Sequence, residues 1–324
     1  MPKSAPTFWH QRNVLARCLA PLSTLYWFAA RRRAARYKPF KLSVPVICVG
    51  NNTVGGSGKT PTVLYCAETL QQAGMQVAVI SRGYQGQLVD DVVRVDTHKH
   101  TALDVGDEPL LIAQQVPCYV ARRRLAAARA AIAEGANALL MDDGMQNPTL
   151  HKDMTLMVVD GGYGFGNGLM LPAGPCREPL QESLAKADAV LVMGEATQPA
   201  AQKIFAQHKK VFQAHLKPQI ALPHQPLFAF CGIGRPAKFF DTLRAMGGDV
   251  IAEKSFPDHH LFKESELREM LQQAAQQNAQ LMTTEKDWLR LDESWRAKVA
   301  YLPVKAKIER AEDFTQMLLS IVKQ

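Results

Sequence analysis

Residues 50–61 read GNNTVGGSGKTP. A phosphate-binding loop has Gly, four residues, then Gly-Lys-Ser/Thr. Gly58, Lys59 and Thr60 satisfy the second half of that pattern, but Thr53 stands where the first glycine belongs. The flanking residues decide the reading. Upstream, Ser43 to Val49 is a short apolar, β-branched run with the length of a buried strand. Downstream, Pro61 suits the first turn of a helix, and Thr62 to Ala73 continues it. Strand, glycine-rich turn and helix together aim backbone N–H groups at phosphate oxygens. In that arrangement Thr53, Val54, Gly55, Gly56, Ser57 and Gly58 wrap the phosphates, and the glycines allow close backbone approach. Lys59 reaches the β- and γ-phosphates and the Thr60 hydroxyl is a Mg2+ ligand. ATP and Mg2+ are therefore the expected cofactors.

The chain has 324 residues, room for two domains or one large one. With 47% hydrophobic and 21% charged residues it is not disordered. Its six cysteines (18, 48, 66, 118, 176 and 231) form neither a Cys-x-x-Cys pair nor a zinc-spaced cluster, which suits a reducing cytoplasm. The net charge of +8 is local. Residues 1–43 hold nine of the 38 Lys and Arg and no acid, leaving 29 basic against 30 acidic side chains elsewhere. A nucleic-acid partner is thus not expected, nor is an obligate protein partner.

The basic segment is also apolar. Val14 to Ala30 precedes Arg31-Arg32-Arg33, with Phe8, Trp9, Tyr26, Trp27 and Phe28 near its ends. Arg17 and Pro21 interrupt it, so it does not read as a spanning helix, which needs about 20 clean apolar residues. Two readings remain: a helix lying in the interface of an anionic membrane, or one docked on the protein's own core. Aromatics beside a cationic cluster favour the membrane surface.

Beyond Val44, apolar strand-like runs alternate with helical ones. The expected fold is α/β: a P-loop NTPase-like, mostly parallel sheet with helices on both faces, plus a smaller α/β subdomain. The boundaries follow as a membrane-associated N-terminal segment over 1–38, a kinase core over 39–220 and a C-terminal subdomain over 221–324. Leu216 to Gln225 reads as the linker.

Four stretches carry candidate chemistry. Asp142-Asp143 follows an apolar strand, as the metal-side carboxylates of nucleotide-hydrolysing folds do, although Asp-Asp-Gly is also a good turn. Asp107-Glu108-Pro109 opens an apolar helix, where Asp107 serves either as a helix cap or as a carboxylate held near the γ-phosphate to accept a proton from an attacking hydroxyl. The glycine-rich Gly161 to Arg177 reads as a lid or as a surface loop, with Arg177 able to neutralise phosphate charge. Asp258-His259-His260 lacks zinc spacing and offers a histidine to pair with a carboxylate.

TVGGSGKTP, SRGYQG, VGDEPLL, DDGMQN, LPAGPCREP, FPDHHLF and TTEKDWLRL occur in an order that resembles the tetraacyldisaccharide 4'-kinase family, the lipid A 4'-kinases of Gram-negative bacteria. The resemblance runs from the basic N-terminus to about Leu291, and in this family the loop opens with threonine. It implies transfer of the ATP γ-phosphate to the 4'-hydroxyl of a tetraacyldisaccharide 1-phosphate, a lipid A precursor. The place of action would be the cytoplasmic face of the bacterial inner membrane, with the chain peripheral or monotopic. Motif matching makes Asp107 the catalytic carboxylate and His259 its partner, chosen over His260 because it follows Asp258 directly. Asp107 is then expected to act as the general base, with the negative charge of nearby phosphates raising its pKa and His259 sharing or orienting its charge. Asp142 and Asp143 become metal-side groups, with Arg82, Glu108, Arg177 and Glu178 near the reacting phosphates. One departure stands out: Asn147 replaces the final histidine of Asp-Asp-Gly-Leu-Gln-His and cannot titrate. Two readings compete: a membrane-associated, partition-type P-loop ATPase, whose loop starts Lys-Gly-Gly where Val54 precedes Gly55 here, and a non-catalytic nucleotide-binding adaptor, in which Asp107 and His259 would be dispensable.

Overall fold

The computed structural model describes residues 6–199, 202–204 and 210–322. Lys3 and the first residues of the 1–38 segment lie outside the described residues, as do the last two of the 221–324 subdomain. The strands are β1 (Val46–Gly50), β2 (Val77–Ser81), β3 (Val93–Arg94), β4 (Cys118–Val120), β5 (Ala138–Asp142), β6 (Met154–Asp160), β7 (Ala189–Met193), β8 (Val211–Pro218), β9 (Leu227–Cys231), β10 (Val250–Ser255), β11 (Gln280–Thr284), β12 (Ala300–Leu302) and β13 (Val304–Ile308).

The large sheet runs β13-β8-β7-β6-β1-β5-β2-β4-β3. From β8 to β4 every pairing is parallel, and the two edge strands are antiparallel to their neighbours. Parallel strands need crossovers that cover both faces, so the central strands are apolar throughout. Their alternation divides them: Ile47 and Val49 of β1 pack into one core layer with Val63 and Leu70 of the helix Lys59–Gln72. Val46 and Cys48 pack into the other with Ala127 and Ala131 of the helix Arg124–Ala133. The chain crosses from β1 to β2 on one side of β1 and from β5 to β6 on the other, and this reversal opens a crevice at the carboxyl end of β1. The turn that starts at Asn51 opens into that crevice.

The smaller sheet runs β10-β9-β11-β12, all parallel. Phe228 and Phe230 face Leu267 and Met270 of the helix Glu264–Gln276. Leu227, Ala229 and Cys231 face Phe239, Phe240 and Leu243 of the helix Pro236–Ala245.

Two expected boundaries need correction. Leu216 to Pro218 belong to β8, so the connection to the small sheet starts at Gln219. The C-terminal subdomain does not extend over 221–324 as one body. Strand β13 pairs with β8, and Phe314 and Leu318 of the helix Ala311–Val322 enter the core of the large sheet. The smaller domain is thus an insertion, gripped at both ends.

The basic segment forms one helix, Val14–Ala34, which runs through Pro21 and is capped by Asn13. Ala16 and Ser23 are buried on its inner face. The Ser23 hydroxyl donates to the Met170 carbonyl at 2.7 Å, and Trp27 Nε1 donates to Glu182 at 3.3 Å. Val14, Leu22, Leu25 and Phe28 are exposed on the outer side. Among the described residues no helix is long and apolar enough to cross a membrane.

Candidate active site

The loop after β1 is braced from within. Asn51 Nδ2 donates to the Thr53 carbonyl at 2.7 Å and to Ser57 Oγ at 3.0 Å. Val54 N donates to the Pro175 carbonyl at 3.0 Å, and Thr53 bridges to Cys176. The Gly161–Arg177 stretch is therefore held between the N-terminal helix and the phosphate loop. Side chains added at Gly55 or Gly56 would meet nothing within 4 Å, so this part of the loop borders open space. Gly58 is different: its φ of 90° is left-handed, and a Cβ would lie 2.9 Å from Met193 Cγ.

Asp142 ends β5, next to β1, and Asp143 follows with φ 48°, an uncommon value for a residue with a side chain. Arg177 grips Asp143 through two hydrogen bonds of 2.8 and 2.9 Å, and Lys59 Nζ lies 3.9 Å away. Burial opposes ionisation, but Lys59 and Arg177 hold the Asp143 carboxyl below the usual carboxylate range. Asp142 has the opposite fate. Burial, then the Asp143 charge, push its carboxyl up to about 6, and Glu108 adds to the rise. Its Oδ2 accepts only a long 3.3 Å bond from Ser81, and its buried Oδ1 has no partner. An orphaned carboxylate oxygen at the carboxyl end of the strand beside β1 fits a hard cation with oxygen ligands, such as Mg2+.

The second acidic pair lies across from this one. Gly106, with φ 89°, caps the helix Asp107–Ala113, so Asp107 is its first residue and not its cap. Both side chains of the pair turn toward the smaller domain. His259 Nδ1 lies 3.0 Å from Asp107 Oδ2. Arg290 Nε donates to the same oxygen at 2.9 Å, with Nη2 beside it, and Lys286 Nζ is 3.4 Å away. Lys286 also bonds Glu108 at 2.5 Å. Burial raises the Asp107 pKa, but the His259 hydrogen bond and the charges of Lys286 and Arg290 outweigh it and hold the carboxyl far below its ordinary range. Among the chain's own side chains the near neighbours of Asp107 are cations. Asp107, Glu108 and His259 bring ligand-type atoms within 4.8 Å of one another, yet a metal there would meet two positive side chains.

His259 has φ 60°, and its N–H donates to the Gly232 carbonyl at 3.1 Å. Its Nε2 is 3.7 Å from Asp258, beyond hydrogen-bond reach. His260 turns away to Glu266 at 2.8 Å, so the neighbour of Asp107 is His259. A Cβ on Gly234 would stand 3.6 Å from Gly56 N, so the turn after β9 meets the phosphate loop. Arg82 is exposed at the end of β2. Glu178 is buried and bonded to Ser183 and Gln146, and it pairs with Lys186, so its oxygens serve the protein interior. Asn147 Oδ1 accepts from Thr149 N and Oγ1 at 2.9 and 2.8 Å, the work of a turn-former. Lys286 and Arg290 were not among the residues singled out from the sequence. The available signal was a buried-looking arginine between Leu289 and Leu291.

The chain is similar to known proteins along nearly its whole length. Residues 15–323 match the family model described as tetraacyldisaccharide-1-P 4'-kinase. A tetraacyldisaccharide 4'-kinase of Rhodospirillum centenum is 44% identical over 98% of this chain and 96% of its own length. One from Nitrobacter hamburgensis is 46% identical over 89% of this chain and 88% of its own. A solved structure of LpxK from Aquifex aeolicus, described as an apo form in complex with ATP, superposes with a TM-score of 0.77 at 28% identity, covering 95% of this chain and all of the other.

Proposed function

The chain belongs to the tetraacyldisaccharide-1-P 4'-kinase family, and on that premise we propose how its own residues carry the reaction. The enzyme transfers the ATP γ-phosphate to the 4'-hydroxyl of a tetraacyldisaccharide 1-phosphate. The loop Thr53–Thr60 holds the triphosphate through backbone N–H groups, with Lys59 and Arg177 set against the charge that moves during transfer. Thr60 and Asp142 would hold Mg2+, with Asp143 turning Arg177 and Lys59 toward the phosphates; bound there, the ion screens phosphate charge.

The observation that carries the mechanism is the pairing of Asp107 with His259 across the two domains. A sugar hydroxyl must lose its proton as the new phosphorus–oxygen bond forms. Asp107, engaged by Arg290 and Lys286, is a poor base. Among the described residues His259 Nε2 has no hydrogen-bond partner, and imidazole suits proton exchange near neutral pH. His259 thus takes the proton from the 4'-hydroxyl, while Asp107 orients the ring and stabilises the imidazolium, as in other His–carboxylate pairs.

The exposed apolar side of the helix Val14–Ala34, with Arg31, Arg32 and Arg33 at its end, suits the surface of an anionic membrane. The inner face is docked on the protein, so both readings of this segment apply, one to each side. We place the enzyme peripherally at the cytoplasmic face of the inner membrane, where ATP and the disaccharide lipid meet. Labelled ATP supplied with total membrane lipid tests the function: label should appear on a disaccharide lipid. ATP turnover without labelled lipid would overturn the kinase assignment and favour the partition-type switch.

A further inference from the structure

We propose that Arg290 is a positioning residue for the transfer, holding Asp107 in the ionised, oriented form that lets His259 act. The inference rests on the reading of His259 as proton acceptor. It starts from how the guanidinium is used. Arg290 sits in the TTEKDWLRL stretch, its side chain only 2% exposed. One edge serves the smaller domain: Nη1 donates to Asp287 at 2.6 Å and to the Gly232 carbonyl at 2.9 Å. The other edge, Nε and Nη2, faces Asp107 in the larger domain.

The smaller domain has no need of that second edge. Asp287 is fully buried and already balances the arginine charge from one turn away. Asp287 is itself fixed by the Gly232 N–H at 3.1 Å and the Thr284 hydroxyl at 2.6 Å. Gly232 in turn accepts from His259 N and from Arg290 with the same carbonyl. Arg290 and His259 are therefore fastened to one node and presented together to a carboxylate on the other domain. A planar fork fixes both the distance and the tilt of the carboxylate it grips, which a lysine cannot do. Lys286 reaches Asp107 as a point charge and is shared with Glu108. Arg290 is the group that sets the Asp107 plane, and through it the direction in which His259 points Nε2.

The groups facing the pair are Asp107 and Glu108 on the larger domain, Asp258, Lys286, Asp287 and Arg290 on the smaller one, and the Tyr84 ring, edge-on to His259 at 5.7 Å. Removing the arginine charge from this set makes the pair easier to protonate. The acid limb of the pH–rate profile should then move to higher pH.

Steady-state kinetics of the full chain with ATP and disaccharide lipid test this, using Arg290→Met and Arg290→Lys in the wild-type and Asp107→Asn backgrounds. Arg290→Met should lose about 10²-fold in kcat with KM for ATP unchanged, and its acid limb should shift upward. Arg290→Lys should recover part of the rate and show a smaller shift in the same direction. In the Asp107→Asn background either substitution should cost less than about threefold, because the group it acts through is gone. Equal fractional losses in both backgrounds would overturn the proposal. So would a lower melting temperature with rate and pH profile unchanged. Should Arg290→Met fail to fold, Arg290→Lys alone decides the same points. A wild-type protein that labels no lipid removes the underlying reading, a result distinct from all of these.

Discussion

Two pairs of adjacent acids, Asp142-Asp143 and Asp107-Glu108, look interchangeable in the sequence and behave as opposites in the fold. The first stands at the end of a central strand, whose other four residues are buried and apolar, and one of its carboxyls is forced upward while the other takes the available cations. The second stands at a helix start between domains, where His259, Lys286 and Arg290 converge on Asp107. The first pair keeps an unsatisfied oxygen; in the second, Asp107 is saturated. The difference teaches that a carboxylate's role follows from what remains unpaired on it. An orphan oxygen suits a cation that arrives with substrate, and a saturated carboxylate suits the task of orienting another group.

The largest effect that bears on this contrast comes from Lys59→Ala. Its Nζ lies beside the first pair, and on the role proposed for it at the transferred phosphate turnover should fall by at least about 10³-fold with the fold intact. Phosphate transfer measured on the purified variant checks it. A variant keeping more than about a tenth of the wild-type rate would remove the transfer role assigned to Lys59, given the several kcal/mol such a charge supplies.

Next in size is the second pair. Asp107→Asn and His259→Ala should each lose about 10² to 10³ in kcat while ATP affinity changes little. The double variant should lose far less than the product, since the two act as a unit. Fully multiplicative losses in a double-mutant cycle would show that the saturated carboxylate does not work through the histidine.

How much of this was legible beforehand depends on sequence distance. The phosphate loop, β1, β5 and the metal-side pair are local: each is a few residues of strand followed by a turn whose chemistry sits in place. The 3.6-residue period of Glu264–Gln276 and the continuous apolar run of β9 are local signals of the same kind. The return of β13 to the large sheet was not, because Val304 to Ile308 alternates with lysines and follows Pro303 like any edge strand. Leu216 to Pro218 read as linker because a strand's exposed end and a loop share the same polar composition. The contact of Arg290 with Asp107 spans 183 positions, and nothing local to either residue announces it. A family motif names Asp107 and His259 together, but the cations around the aspartate come from Lys286 and Arg290, far along the chain.

The smallest effect is the most direct probe of the unpaired oxygen, and it needs no substrate. The Asp142 carboxyl titrates at about 6 in the folded chain against 3.8 for an ordinary aspartate, chiefly through burial and secondly through Asp143. Between those values the unfolded chain releases a proton that the folded one keeps. Stability therefore falls as pH rises through this window, and the penalty is complete above it. Asp142→Asn has no proton to release, so its stability lacks this component at every pH. The difference in unfolding free energy between variant and wild type should move in favour of the variant by on the order of 2 to 3 kcal/mol from the acid side of the window to neutrality. Any fixed cost of the amide, such as an unpaired N–H where Oδ1 stood, is the same at both ends and cancels from the slope. Excess Mg2+ should narrow the gap at neutral pH, because a cation at the orphan oxygen stabilises only the carboxylate. Denaturant titrations of both proteins across this pH range read the effect. A pH-independent difference would mean that Asp142 is already charged and satisfied in the folded protein, and the contrast between the two acidic pairs would collapse.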